Sequence, residues 1–254
     1  MIPSIVSPLG DSAVPFALAD GLYALTLTGS VSYLLLGSER ALVIDTGLGK
    51  EDVFSRARQI TDKPLILANT HGHLDHIGCN DRFDCACAHP LEFDRIRRKS
   101  PGMKAIREGD VLDLGDRSLT VWELPGHTPG SLGFYESARG LLFCGDMVSE
   151  RPLFLQFPYS DLAAFGKSMR RIVSGPEAVG TLLCCHGNPI QPPQQAERLR
   201  ILAELILNNG IGASAQLELQ TEDGSFRSGL YSLNGANIYY GLNQYRGGNG
   251  ENNK

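Results

Sequence analysis

Apolar residues in the first half of the chain come in short runs separated by polar turns. Residues 22–28 and 31–36 read as short strands. The second passes through Gly37-Ser38-Glu39-Arg40 into Ala41-Leu42-Val43-Ile44, a hairpin that ends at Asp45-Thr46-Gly47. The period then changes: within 50–61, Val53, Phe54, Ala57 and Ile60 share one helical face. Leu65-Ile66-Leu67-Ala68 is a short buried strand that delivers the chain to Thr70-His71. Residues 90–99 predict a helix whose exposed side is basic, and 118–124 predict a strand ending at Pro125-Gly126-His127.

The second half repeats that order. Leu132 to Tyr135 and Leu141-Leu142-Phe143 form a hairpin ending at Gly145-Asp146, a helix follows over 160–173, and Thr181-Leu182-Leu183-Cys184 runs toward His186. Hairpin, acidic residue, helix, strand and histidine thus occur twice. The order of elements, more than residue identity, predicts two sheets related by a pseudo-two-fold with helices outside. Ala196, Leu199, Leu202, Leu205 and Ile206 predict a helix over 193–208 that Gly210 stops. Residues 215–245 alternate and carry turn signals at Asp223-Gly224 and Asn234-Gly235, so they read as terminal strands or hairpins. Residues 247–254 read as a disordered tail. No linker signal precedes that tail, so 1–246 is expected to be a single domain.

Composition narrows the picture. Of 254 residues, 42% are hydrophobic and 20% charged, which excludes a wholly disordered chain. A net charge of −5 argues against a nucleic-acid binder that neutralises phosphates. No apolar run approaches the ~20 residues needed to span a bilayer. The start, MIPSIVSPLGD, lacks the basic and apolar segments of a signal peptide. The six cysteines include no CxxC pair, which excludes a zinc ribbon and a thioredoxin-like motif. A cytoplasmic protein with reduced thiols is expected.

The six histidines carry the candidate chemistry. Three lie within His71-Gly72-His73-Leu74-Asp75-His76, and His127 and His186 each come just after an apolar strand, as does Asp146. Neutral imidazoles and carboxylates are the usual ligands of zinc and similar divalent ions. The spacing differs from the HExxH pair of metalloproteases. On a tight loop entering a helix, with Gly72 allowing the sharp path, the four clustered donors can be divided between two ions. Asp45 either fixes the tautomer of a ligand histidine or stabilises the turn before Gly47. His89, ahead of Pro90 at a helix start, reads as structural or exposed, and the cysteines as buried packing. Arg95, Arg97, Arg98 and Lys99 read as a solvated helix face. Residues 153–159 form either a pocket wall or core.

In order, His71-Gly72-His73-Leu74-Asp75-His76, His127-Thr128-Pro129-Gly130, Gly145-Asp146 and His186-Gly187 resemble the motif set of the metallo-β-lactamase fold superfamily. Asp45 in Val43-Ile44-Asp45-Thr46-Gly47 matches its first motif, and the likeness spans residues 22 to about 190. The resemblance implies an α/β fold, an αββα four-layer sandwich of two mixed β-sheets flanked by helices. It implies His71, His73 and His127 on one metal, Asp75, His76 and His186 on the second, and Asp146 bridging both. Seven protein donors exceed one tetrahedral site and suit two ions. Two ions about 3.5–4 Å apart generate a nucleophilic hydroxide at neutral pH.

The implied activity is a dinuclear metal-dependent hydrolase in which a bridging hydroxide attacks a small ester, thioester or lactone. Asp75 would orient that hydroxide or pass a proton. Zinc is the first expectation for both ions, with iron or manganese as alternatives. True β-lactamases of the superfamily generally lack an aspartate at the bridging position, so Asp146 disfavours antibiotic hydrolysis. The basic anchors of glutathione-thioester enzymes are not placed, and Tyr159, Tyr239 and Tyr240 are candidates for a pocket tyrosine. Other readings are a mononuclear-iron sulfur dioxygenase, a phosphodiesterase and a non-catalytic metal-binding module. The implied partner is a small-molecule substrate, with no nucleic acid and no membrane.

Overall fold

Period-two alternation along the strands sorts their side chains onto two faces and thereby sets the layers. The computed structural model describes residues 16–25, 29–221 and 224–241. The expected tail 247–254, residues 26–28 of the first expected strand and 242–245 of the last lie outside the described residues.

Among the described residues the strands form three sheets. The first holds β1 (Phe16–Ala19), β2 (Leu22–Ala24), β3 (Tyr33–Leu36), β4 (Ala41–Ile44), β5 (Leu65–Ala68), β6 (Cys85–Ala88) and β7 (Gly102–Ala105), side by side in chain order. Pairing is antiparallel up to β4 and parallel from β4 to β7. The second holds β8 (Val111–Asp113), β9 (Ser118–Glu123), β10 (Leu132–Glu136) and β11 (Leu141–Gly145). The third holds β12 (Leu153–Leu155), β15 (Ala215–Thr221), β16 (Gly224–Leu233) and β17 (Ala236–Gly241). Completing the second sheet, β13 (Thr181–Cys184) lies parallel to β11, and β14 (Ile190–Gln191) closes the edge.

Leu42 and Ile44 of β4 enter a core between the first two sheets together with Phe134, Phe143 and Leu183. Their neighbours Ala41 and Val43 pack outward on Val53 and Ala57 of α1 (Val53–Ile60). On the far side, Leu142, Cys144, Leu182 and Cys184 meet Phe165 and Met169 of α2 (Leu162–Ser174) and Leu199 and Leu202 of α3 (Pro193–Leu207). The layers therefore run α1, sheet, sheet, α2 with α3, the expected αββα order. Each fully buried leucine or isoleucine contributes roughly 1.5–3 kcal/mol. The adjacent Cys184 and Cys185 fall in opposite cores, as alternation requires. Helix starts are local: Asp52 accepts from Ser55 N at 3.0 Å, and Asp161 accepts from Ala163 N and Ala164 N at 2.8 and 2.9 Å.

Two features depart from the expected plan. The third sheet recruits Leu153–Leu155, just past Asp146, alongside Ile238–Tyr240. Residues 90–99 are not an α-helix: one 3₁₀ turn, Pro90–Glu92, leads into turns and bends. The reason is that its polar side chains serve other segments. Glu92 accepts from Gly72 N and Gly130 N, Arg98 donates to Gly78 O, and the Arg95 guanidinium lies over the Tyr159 ring.

Arg117 locks the two main sheets together. Its Nε and Nη2 donate to both Glu136 oxygens at 2.7 Å, and Nη1 lies 3.3 Å from Leu36 O. Both residues are buried. Arg117→Ala is expected to cost about 3 kcal/mol, the low end for a broken buried pair, because Glu136 loses its bidentate partner and keeps only Arg139 Nη1 at 2.6 Å. Thermal denaturation should show a midpoint lower by roughly 6–12 °C. The double variant Arg117→Ala/Glu136→Ala should recover part of that loss.

Candidate metal centre

The candidate donors sit where strands end. Asp45 follows β4, His71 comes soon after β5, His127 after β9, Asp146 follows β11, and His186 comes just past β13. The carboxyl ends of parallel strands, here β4, β5, β11 and β13, are where α/β sheets place ligands, and the antiparallel β9 ends beside them. Asp75 and His76 ride a single 3₁₀ turn, Leu74–His76. Glycine is needed at position 78, where a Cβ would lie 2.1 Å from Gly49 N. That approach lets Gly78 N reach Gly47 O and Thr46 N reach His76 O, both at 2.7 Å, so the Asp45 turn clamps the histidine loop.

All seven donors converge. His71 Nε2 and His127 Nε2 each lie 3.0 Å from His73 Nδ1. Asp146 Oδ1 is 3.4 Å from His76 Nε2, while its Oδ2 is 3.1 Å from His186 Nε2 and 3.7 Å from His127 Nε2. Asp75 Oδ2 is 3.3 Å from His186 Nε2, and Oδ1 is 3.6 Å from His76 Nε2. The donor atoms of His71, His73 and His127 form one close group, those of Asp75, His76 and His186 another, and Asp146 reaches both.

Each of these five imidazoles turns one nitrogen inward and anchors the other. His127 Nδ1 donates to Phe154 O at 2.7 Å, and His186 Nδ1 donates to Gly29 O at 2.9 Å. His76 Nδ1 meets Asp45 Oδ2 at 2.8 Å, and His73 Nε2 meets the Tyr159 hydroxyl at 2.8 Å. The Thr70 hydroxyl spends its proton on Asp45 Oδ2 at 2.6 Å, so it accepts from His71 Nδ1 at 3.1 Å. The His71, His127 and His186 tautomers then present a bare Nε2 inward wherever the ring is neutral. Two buried atoms facing inward, His76 Nε2 and Asp146 Oδ1, make no hydrogen bond. Divalent cations would satisfy that donor set: bare nitrogens, carboxylates and orphaned buried atoms facing one shared space.

The electrostatics divide along the same line. Burial, reinforced by neighbouring imidazoles, holds His71 and His73 well below the usual histidine range. Burial likewise lowers His127. All three are thereby biased toward the neutral form that ligates a metal. Asp146 pushes His186 up to about 10, against the effect of burial. Burial opposes ionisation of Asp75, but His76 and His186 pull it down to about 2. In the metal-free chain, protons on His76 and His186 thus balance the carboxylates. His186 stabilisation is complete below its ordinary value of 6.5 and is lost as pH rises toward about 10. The thermal midpoint of chelator-treated protein should therefore fall across that window, and loading with metal should flatten the fall.

His89 stands apart from the centre. Its Nδ1 accepts from Leu91 N at 3.2 Å, which leaves Nε2–H to donate to Glu123 Oε1 at 3.2 Å. His89→Ala is expected to leave the metal content unchanged and to cost about 1–2 kcal/mol of stability. Metal analysis with thermal denaturation checks this, and a lost equivalent would move His89 into the centre. The 153–159 segment divides: Leu153 and Leu155 are core, whereas Phe157 lies 5.1 Å from the His73 ring and stacks on Tyr159 at 5.2 Å. Sequence reasoning missed Glu92 and the backbone acceptors Phe154 O and Gly29 O. It also missed Cys185, whose Sγ lies 3.7 Å from Asp45 Oδ2. None of these carried a signal in the sequence, since Glu92 reads as one more polar residue of an expected helix and a carbonyl belongs to every residue.

The sequence profile of the metallo-beta-lactamase superfamily matches residues 25–179. An acyl-coenzyme A thioesterase MBLAC2 of Bos taurus is 32% identical over 184 residues, covering 56% of this chain and 66% of the relative. A hydroxyacylglutathione hydrolase of Gloeothece citriformis is 33% identical over 134 residues, covering 48% of this chain and 51% of the relative. The chain thus spans between about half and two thirds of these relatives' lengths. Among solved structures, the metallo-beta-lactamase family protein TTHA1429 of Thermus thermophilus aligns with a TM-score of 0.65 at 21% identity. That alignment covers 79% of this chain and 85% of the other.

Proposed function

This chain belongs to the metallo-beta-lactamase superfamily, and from that premise we propose that it is a metal-dependent hydrolase of small acyl thioesters. The observation that carries the reading is the set of five imidazoles, each anchored on its outer nitrogen and aimed inward at two carboxylates. His71, His73 and His127 would hold one divalent ion, and Asp75, His76 and His186 a second, with Asp146 shared. The nitrogen and oxygen donors suit zinc first, and iron or manganese as alternatives. When bound, such ions acidify water toward neutrality and polarise a carbonyl oxygen.

The chain's own groups supply the rest. Asp75, with 27% of its side chain exposed, is the more open carboxylate and orients the attacking water and takes its proton. Water adds to the acyl carbon, the carbon–sulfur bond breaks, and a carboxylate and a thiol leave. The aromatic pair Phe157 and Tyr159 and the exposed Leu74 offer apolar surface to the acyl group. The names of the bovine and cyanobacterial relatives favour a thioester over a lactone or simple ester. Among the described residues no helix is long and apolar enough to cross a membrane. The free thiols suit a reducing cytoplasm, and the net charge of −5 does not suit a nucleic-acid substrate.

Metal analysis followed by a panel of acyl-CoA, acylglutathione, lactone and phosphodiester substrates tests this. Two divalent equivalents per chain and thiol release from thioesters are expected. One iron per chain with dioxygen uptake would favour a sulfur dioxygenase. A metal-loaded protein inert on every substrate would favour a binding module.

A further inference from the structure

We propose that the buried carboxylate of Glu92 is a positioning residue that sets the three-histidine half of the centre; the inference rests on the two-ion reading above. Glu92 is 0% exposed, yet its partners are not those of a structural ion pair alone. Oε2 accepts from Gly72 N at 3.0 Å and from Arg95 Nη1 at 3.4 Å, and Oε1 accepts from Gly130 N at 2.9 Å. Gly72 lies between His71 and His73, and Gly130 lies on the loop that begins with His127. One side chain, remote in sequence from both loops, therefore ties them to each other.

The contact is close on both loops and tightest at Gly130. A Cβ at Gly130 would lie 2.8 Å from Glu92 Cγ and Oε1, and one at Gly72 would lie 3.1 Å from Oε2. The bracket also reaches His73 from its outer side. Arg95, held by Glu92, places its guanidinium carbon 3.9 Å from the Tyr159 ring centroid, and the Tyr159 hydroxyl meets His73 Nε2. The other half is held differently. His76 rests on Asp45, His186 on Gly29 O, and the backbone of Asp75 on the Ser30 hydroxyl. Among the described contacts, Glu92 touches none of those groups, so its influence is confined to one ion.

The chemistry demands a carboxylate. Two N–H groups need an acceptor on each side, and a carboxylate is acceptor-only at both oxygens. Glutamine keeps the shape but turns an NH2 toward one amide, donor against donor. Loss of such outer partners typically costs 10–100-fold in metal affinity.

The test is competitive chelator titration with zinc on wild type, Glu92→Gln, His127→Ala and His186→Ala, the last two identifying each equivalent. Glu92→Gln should weaken the His127-dependent equivalent about 10–100-fold and leave the His186-dependent one unchanged. In the metal-free protein, amide exchange at Gly72 and Gly130 should accelerate. Equal losses on both equivalents, or none, would overturn the proposal, since a general loss of stability does not discriminate between ions. If wild type takes up a single ion, the two-ion reading fails by itself; Glu92 is then upheld by accelerated exchange at both glycines and refuted by unchanged exchange. If Glu92→Gln does not fold, Arg95→Gln at its partly exposed position replaces it. A smaller loss on the His127-dependent equivalent supports the bracket, and no loss overturns it.

Discussion

Asp146→Ala is expected to strip both ions and to lower thioester turnover by about 10³-fold or more, equivalent to ~4 kcal/mol of barrier. The two oxygens of Asp146 reach both groups of donors. Its Oδ1 lies 3.4 Å from His76 Nε2, and its Oδ2 lies 3.1 Å from His186 Nε2 and 3.7 Å from His127 Nε2. Removing it leaves a buried space flanked by imidazoles and subtracts the shared negative charge. In the metal-free protein it also removes the main cause of the raised His186 pKa. Metal analysis and steady-state kinetics read both effects together. Two-ion occupancy with near-normal turnover would contradict the shared role.

Asp45→Asn is expected to weaken both ions by about 10–100-fold while touching neither. Asp45 is fully buried and accepts from Thr70 N at 2.8 Å, from the Thr70 hydroxyl at 2.6 Å and from His76 Nδ1 at 2.8 Å. Through His76 it governs one half of the centre, and through Thr70 and His71 it governs the other. Asparagine tolerates the left-handed backbone, φ 59°, so the substitution isolates the side chain. Its amide offers one oxygen to three donors and sets an NH2 against another. Each buried group left unpaired costs about 1–3 kcal/mol, so the thermal midpoint should also drop by at least 2 °C or so. The contrast with Glu92→Gln is diagnostic, because one variant weakens both equivalents and the other only one. Unchanged affinity for both ions in Asp45→Asn would refute the relay through Thr70.

Much of the fold was legible because its strands alternate cleanly. Ala41 to Ile44 and Leu141 to Cys144 each divide their side chains between two cores. The duplicated order of hairpin, acid, helix, strand and histidine became two parallel crossovers, β4 to β5 and β11 to β13. Of the two sequence readings of Asp45, the contacts of its carboxylate favour the histidine anchor: it meets Thr70 and His76 Nδ1, not the turn before Gly47. The segment 90–99 misled because its charged residues resemble a solvated helix face, whereas Glu92, Arg95 and Arg98 bind other loops. Strand β12 was unreadable because three residues carry no usable period, and its partner β17 lies far along the chain.

The linear order of residues by itself determined the kinds of donor available, their position at strand ends and the alternation that stacks four layers. Those are local properties: side-chain chemistry and a backbone repeat. Only the tertiary structure decided which nitrogen of His127 and His186 faces inward, because carbonyls of Phe154 and Gly29 make that choice and every residue carries a carbonyl. It alone placed a single carboxylate between two distant histidine loops, since such a contact depends on the path of the backbone through three dimensions.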